Sequence, residues 1–247
     1  MSIIVKGKTI YGPNIVTDGL VLYLDAANTK SYPTTGTTWS DLSGYRNNGT
    51  LTNGPTFSSA NNGSIFFDGT NEYINLSPVP SLSNISKFTY SSFIKFQSKA
   101  NGCGIFSYGQ TNVYTSDIFF WWNTTSPNNS LAFQINNGLD GTAWYSYNPT
   151  SSWISLAVVY DGTQSTNANK LKVYLNNDQI TLDFNTYTVP ASTASPINPK
   201  CLIGDYASTT GTYTFLGNVA TTILYNRSLS TIELTQNYNA SKSRFNL

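Results

Sequence analysis

Histidine is absent from this sequence, and charge is scarce. The 247 residues include 13 Lys and Arg and 12 Asp and Glu, which leaves a net charge of +1. Without histidine, a triad of the Ser-His-Asp type cannot form. Surfaces that bind nucleic acid carry clustered Lys and Arg, whereas only 10% of these residues carry any charge. We therefore expect no nucleic-acid partner.

Long apolar runs are also missing. No stretch approaches the ~20 apolar residues that a membrane-spanning helix needs. The N-terminal segment MSIIVKGKTIYGPN carries no apolar stretch of secretory length. We therefore expect no membrane insertion and synthesis in a cytoplasm.

Cysteine is rare as well, since Cys103 and Cys201 are the only two. Both lie in strand-like contexts, GCGIF and KCLIG, far apart along the chain. Sequence spacing cannot decide between a bridge and two buried thiols. A chain of this length buries enough surface to need neither a disulfide nor a metal for stability.

In place of charge, the chain is rich in Asn, Ser, Thr, Gly and aromatic residues. Asn and Gly favour turns, and aromatic and β-branched residues favour strands. FTYSSFIKF (88–96) and LKVYL (171–175) show the period-two alternation of a strand. With repeated Asn-Gly and Asp-Gly pairs between such runs, the pattern predicts an all-β, two-sheet antiparallel sandwich of the jelly-roll type with about fourteen strands.

One short C-terminal helix is predicted. Ser230 and Glu233 form a capping box, and Leu229 and Leu234 form a hydrophobic staple around it. The helix is expected to run to about Ala240.

The first seventeen residues stand apart, because Gly12-Pro13-Asn14 interrupts the chain before the strand pattern begins. We interpret residues 1–17 as an N-terminal arm for docking or subunit contact, and residues 18–247 as the sandwich.

A set of short stretches occurs in a characteristic order along the chain: GLVLYLD (19–25), WSDLSG (39–44), NNGTL (47–51), FDG (67–69), YI (73–74), AVVYDG (157–162), VYLN (173–176), GN (217–218) and YNRSLS (225–230). Together they resemble the laminin-G-like members of the concanavalin-A-like lectin/glucanase superfamily. The resemblance covers residues 18–245. It implies a concanavalin-A-like sandwich.

Two longer segments lie near the ends of the chain, TDGLVLYLDAANTKSYP (17–33) and LYNRSLSTIELTQNYNASKSRFNL (224–247). Their sequences are similar to those of structural proteins of tailed-bacteriophage virions. This resemblance implies a protein that is made in the host cytoplasm and exposed on the particle surface. Relatives often carry an acidic residue in the last strand that serves a structural calcium, but Ala220 stands there. The resemblance therefore implies no calcium at that position.

Catalytic carboxylates are poorly represented. Glycoside hydrolysis needs two carboxyl groups that face one bond. The chain has only two glutamates, Glu72 in a turn and Glu233 at the helix cap, and its ten aspartates are scattered. No strand carries acids at alternate positions. We predict that the protein is not an enzyme.

Asp25 and Asp41 are the best candidate metal ligands. The resemblance implies that the first strand lies near the loop after Trp39, so the two carboxylates could hold calcium. Alternatively, both fix loops by accepting hydrogen bonds from backbone amides. We favour no cofactor.

Carbohydrate binding has a richer candidate region. Sugar sites combine flat aromatic faces with amide or carboxylate groups. The candidate residues are Tyr114, Trp121, Asn123, Asn136, Trp144, Tyr145 and Tyr147. Alternation places Trp121 and Trp122 on opposite faces, so we expect one in the core and one outside. The alternative is that a loop or a neighbouring subunit covers the outer aromatic residues.

Taken together, the sequence favours a non-enzymatic virion structural protein: a phage head decoration, fibre or tail component that presents a lectin-like sandwich, with host-surface glycans as candidate ligands. Its expected partners are other virion proteins and copies of itself, with a trimer plausible because particle appendages are symmetric. The competing hypotheses are a carbohydrate-binding adhesin and, less favoured, a glycan-cleaving enzyme.

Overall fold

The computed structural model describes residues 14–77, 80–100, 102–124, 129–138 and 141–247, with the backbone alone at 3–5, 8–10, 115 and 116. Its strands are β1 (Ile3–Val5), β2 (Lys8–Ile10), β3 (Leu20–Asp25), β4 (Thr38–Trp39), β5 (Asn48–Thr52), β6 (Thr56–Ser58), β7 (Ser64–Asp68), β8 (Tyr73–Ser77), β9 (Lys87–Phe96), β10 (Cys103–Gln110), β11 (Val113–Asn123), β12 (Ser130–Ile135), β13 (Ala143–Ser146), β14 (Trp153–Asp161), β15 (Leu171–Leu175), β16 (Asp178–Ile180), β17 (Lys200–Ile203) and β18 (Leu216–Tyr225).

Two antiparallel sheets form the sandwich, as predicted. Sheet I has the order β13-β12-β11-β10-β17-β8-β5-β4. Sheet II has the order β16-β15-β14-β9-β18-β7-β6, and β3 also pairs with β18. The strands exceed the expected number because short ones such as β4 and β16, of two and three residues, are too brief to show an alternating pattern.

The core between the sheets is aromatic. Tyr90 of sheet II packs against Phe106 and Phe120 of sheet I, with ring centroids 4.8 and 5.6 Å away. All three are fully buried, and each such ring removes about 150–250 Å² from water. The alternation predicted for residues 88–96 is confirmed, since Phe88 and Phe96 also enter this core.

The C-terminal helix, α2 (Thr231–Ser241), is also confirmed. Its capping box is present: Ser230 Oγ accepts from the Glu233 amide at 3.4 Å, and Glu233 Oε2 accepts from the Ser230 amide at 2.8 Å. Leu229 and Leu234 pack in one cluster with outer-face residues of sheet II. A one-turn helix, α1 (Asn167–Lys170), was not expected.

The two cysteines are free and buried. Cys201 lies opposite Tyr108 in the pairing of β17 with β10, five residues along β10 from Cys103. At ~3.4 Å per residue, that separation is far beyond the reach of a disulfide.

The proposed arm is described in part. Strands β1 and β2 pair with each other and with neither sheet, and residues 1–2, 6–7 and 11–13 lie outside the described residues. Ile15 and Val16 are buried against the sandwich. The Val16 amide donates to Asn237 Oδ1 of α2 at 2.8 Å, so residues 14–17 are packed onto sheet II and α2.

None of the helices in the described part of the chain has the length and apolar character needed to cross a bilayer.

Candidate functional site

The candidate site lies on the outer face of sheet I. Trp122 points into the core, whereas Trp121 joins a separate aromatic cluster on the outer face. Trp121 lies opposite Ala132 of β12, which in turn lies opposite Trp144 of β13. The prediction that the two adjacent tryptophans face opposite ways is confirmed.

A loop between β17 and β18 crosses this face. Its residue Tyr206 stacks on Phe119 with the ring centroids 4.0 Å apart and the planes at 14°. On the same strand as Phe119, Trp121 stacks against that ring at 4.4 Å. Tyr213, at the far end of the loop, meets Phe119 edge-on at 5.5 Å. The alternative that a loop covers the outer aromatic residues therefore holds in part.

Two buried carboxylates fix this loop. Asp117 Oδ2 accepts from the hydroxyl of Tyr206 and from Ser208 Oγ, the latter at 2.9 Å. Asp205 accepts from the amides of Tyr206 and Gly211 at 2.8 and 2.6 Å. Burial raises the pKa of the Asp205 carboxyl above its usual value. These acids are occupied with holding the loop and do not face the solvent.

Next to the loop, the outer face opens into a cleft of about 370 Å³, which we call the aromatic cleft. Its lining is Tyr114, Phe119, Trp121, Gln134, Tyr206, Thr209, Thr212 and Tyr213. The volume falls in the range of small-ligand sites. Tyr114 is 46% exposed at the rim, while Phe119 and Trp121 form the buried floor. Aromatic faces beside an amide and two threonine hydroxyls suit the apolar faces and the hydroxyl groups of a sugar.

The predicted sugar-binding residues divide between the two faces. Tyr114 and Trp121 line the aromatic cleft, and Trp144 meets Trp121 edge-on at 5.7 Å. Asn136 is buried behind the rim, where its Nδ2 donates to the Tyr114 carbonyl at 2.9 Å.

Besides Asn136 and Trp144, three more of the predicted residues lie outside the cleft lining. Tyr145 lies opposite Leu131, a core residue. Tyr147 packs against Phe96 of the core at 6.0 Å. The prediction that Tyr145 and Tyr147 lie in one site with Trp144 is therefore wrong. Alternation along and just beyond β13 places these two side chains on the face opposite Trp144. Asn123 is buried at the end of β11, opposite Ser130.

Most residues that line the cleft were not predicted from the sequence. Phe119 and Gln134 had a usable signal, because alternation from Trp121 and Ala132 places them on the outer face. Tyr206, Thr209, Thr212 and Tyr213 had none, since only the path of the loop brings them to β11.

The candidate metal ligands are engaged by the protein itself. Asp41 Oδ1 accepts from the amides of Tyr23 and Ser43, and its Oδ2 accepts from the Asn47 amide and Ser43 Oγ. Asp25 pairs with Arg244 at 3.0 Å. Across the described residues, no group of three or more His, Cys, Asp or Glu side chains could hold a metal ion. The geometry matches the alternative in which both acids fix loops.

Comparison with known proteins gives a family and a fold. A family model described as the concanavalin A-like lectin/glucanases superfamily matches residues 68–235. No curated protein sequence matches the chain.

Three solved structures illustrate the fold. The binding domain of botulinum neurotoxin DC in complex with SialylT has a TM-score of 0.64 at 11% identity, over 91% of this chain and 52% of that one. The binding domain of Paraclostridial Mosquitocidal Protein 1 gives 0.62 at 13%, over 91% and 52%. Trypanosoma rangeli sialidase in complex with sialic acid gives 0.61 at 14%, over 92% and 33%. The chain therefore spans about half of each toxin binding domain and a third of the sialidase, and at these identities the likeness shows the shared fold alone.

Proposed function

The chain belongs to the concanavalin A-like lectin/glucanase superfamily, and on that premise we propose that it is a non-enzymatic glycan-binding sandwich carried on a phage particle for attachment to the host surface. The observation that carries the glycan-binding part is the aromatic cleft. Tyr114 and Tyr213 offer ring surface there above the buried Trp121, and Thr212 offers an exposed hydroxyl group.

The absence of acids from the lining supports binding without hydrolysis. Among the described residues, none of those lining the aromatic cleft is a carboxylate, whereas glycoside hydrolysis needs two that flank the bond. Glu72 is buried and accepts from the Asp68 amide at 2.6 Å. Glu233 is held by Arg227 at 2.6 Å. A sialidase among the structural neighbours does not alter this proposal, since the chain spans only a third of it.

The particle-borne role is supported by the phage-like segments at 17–33 and 224–247 and by the geometry of the arm. Strands β1 and β2 form a two-stranded ladder that joins neither sheet, and an isolated two-stranded hairpin is marginal in water. Docking of this ladder on a virion protein or on a sister subunit would supply the stability that an isolated hairpin lacks. A symmetric assembly such as a trimer is the expected arrangement.

The glycan-binding proposal is tested on a glycan array with the wild-type chain and Tyr114→Ala. Tyr114 is an exposed rim residue, so its removal should leave the fold intact and weaken binding by up to about tenfold, the loss of one ring contact. Tyr45→Ala is the matched control, because Tyr45 is 62% exposed and lies outside the cleft lining. No binding to any glycan, or equal losses in both variants, would contradict the proposal.

The particle-borne proposal is tested by deleting residues 1–13. This truncation keeps the buried Ile15 and Val16, so the sandwich should retain its melting temperature. We expect the truncated chain to lose self-association in sedimentation and to be missing from purified particles. Full incorporation without these residues would contradict a docking role.

A further inference from the structure

A second cleft lies on the other side of Trp144 from the aromatic cleft, and we call it the β13 cleft. Its volume is also about 370 Å³, and its lining is Gly141, Thr142, Trp144, Phe184, Asn185, Thr186, Tyr187 and Thr188. Asn185, Thr186 and Thr188 are exposed and present one amide and two hydroxyl groups. Trp144 and Phe184 are half-buried and supply apolar surface.

A pair of tryptophans in contact links the linings of the two clefts. Trp121 lines the aromatic cleft, Trp144 lines the β13 cleft, and their rings meet edge-on at 5.7 Å. Trp121, Ala132 and Trp144 lie in register on three neighbouring strands. Because neighbouring strands are ~4.8 Å apart, the clefts are roughly two strand spacings from one another. A single sugar ring cannot fill both, whereas a chain of sugars that crosses β11 to β13 can.

The described linings of both clefts are uncharged. Among the described residues, neither lining includes a Lys, Arg, Asp or Glu side chain. Sites that select a carboxylate or a phosphate use charge-assisted hydrogen bonds from Arg or Lys. Hydroxyl, amide and aromatic groups instead match the chemistry of an uncharged sugar.

From this arrangement we propose that the ligand is a neutral oligosaccharide of several residues, bound across the aromatic cleft and the β13 cleft, and not a single terminal sialic acid. This inference rests on the proposed glycan-binding function and adds the length and the charge of the ligand.

The test measures affinity by calorimetry for chito-oligosaccharides and malto-oligosaccharides of one to six residues, and compares lactose with 3′-sialyllactose. We expect affinity in at least one neutral series to rise with length by about tenfold for the added cleft, and no gain from the sialic acid.

Thr186→Trp fills the β13 cleft from an exposed position and leaves the aromatic cleft untouched. This variant should lose the gain with length and keep the affinity for the shortest member that binds. Thr150→Trp is the matched control, because Thr150 is exposed and lines neither cleft.

The outcomes separate the two proposals. Binding that is independent of length, a length effect that survives Thr186→Trp, or preference for 3′-sialyllactose overturns this inference and leaves glycan binding standing. Binding to neither neutral series nor lactose overturns the inference, and the full array then decides whether the glycan-binding function falls with it.

Discussion

The outer faces of the two sheets carry similar aromatic clusters, but different segments of the chain pack over them and cover them to different extents. On sheet II, Phe245 from the C-terminus stacks on Phe93 at 4.7 Å and packs on Trp153 at 4.5 Å. On sheet I, Tyr206 stacks on Phe119 from a loop that stops short of Trp144, and a cleft remains. Aromatic residues on an outer face are therefore either buried or left lining a cleft, according to which segment of the chain packs over them.

The two covers are also anchored differently. Arg244 holds the C-terminal segment through an ion pair with Asp25 and a hydrogen bond from Nη2 to the Gly63 carbonyl at 3.1 Å. The loop on sheet I is held by hydrogen bonds to the acids Asp117 and Asp205. Removing each anchor by mutation tests whether the segment it holds contributes only to stability or also shapes the aromatic cleft.

The largest effect is expected from Arg244→Ala. The pair is mostly buried, with side-chain exposures of 13% for Arg244 and 5% for Asp25. Its loss leaves the Asp25 carboxylate without its cation and should lower the free energy of unfolding by about 3–5 kcal/mol, measured by urea denaturation. Ser243→Ala, at an exposed neighbour, is the control. Equal effects in the two variants would show that packing of Phe245 alone holds the segment.

A smaller loss is expected from Tyr206→Phe, which removes the hydroxyl that donates to Asp117. A hydrogen bond to a charged group contributes about 1.5–3 kcal/mol, and Asp117 keeps its bond from Ser208. We also expect weaker glycan binding, because the wall of the aromatic cleft loses its anchor. Tyr45→Phe, at an exposed hydroxyl outside the cleft, should change neither quantity. Unchanged glycan affinity in Tyr206→Phe would show that the hydrogen bond from the loop to Asp117 does not contribute to glycan binding.

Acid should weaken the ion pair at the start of α2, the helix that packs on the outer face of sheet II. The Arg227 guanidinium lowers the pKa of Glu233, at the start of α2, from 4.5 to about 2. As the pH falls from 4.5 towards 2, the unfolded chain takes up this proton first, so the stabilisation by Glu233 is lost over that range. Both side chains are about one quarter exposed, so the effect is on the order of 1 kcal/mol.

The measurement is the difference in unfolding free energy between the wild type and Glu233→Gln as a function of pH. The difference should be present at pH 6 and vanish near pH 2. A constant difference across this range would show that the Glu233 carboxylate contributes no pH-dependent stability.

Calcium is expected to have the smallest effect. Each carboxylate oxygen of Asp41 already accepts two hydrogen bonds, and Asp25 pairs with Arg244. Addition of calcium should leave the melting temperature unchanged. A rise that disappears in Asp41→Asn would instead establish a calcium site there.

The sequence predicts individual strands and the helix better than it predicts which segments pack against them. Alternation in residues 88–96 correctly places Phe88 and Phe96 in the core, because period two is a local property of an extended chain. The capping box at Ser230 and Glu233 is equally local, and α2 begins where it indicates. The same rule, applied from Trp144, already separates it from Tyr145 and Tyr147.

The site itself depends on contacts between distant segments. Tyr206 reaches Phe119 across 87 positions of the chain, and its hydroxyl bonds Asp117, 89 positions away. No pattern within either segment encodes that approach. The β13 cleft likewise joins Trp144 to residues 184–188, which the bridge between Trp144 and Asp183 brings together.

By itself, the sequence determined the all-β class, the alternation that separates Trp121 from Trp122, and the capped helix at the C-terminus, because each follows from backbone periodicity or from hydrogen bonds between near neighbours. Only the tertiary structure decided which outer aromatic residues are covered and which are left in a cleft. That outcome depends on where a loop or a terminal segment comes to rest on a sheet, and a sheet surface is assembled from strands that are distant in the chain.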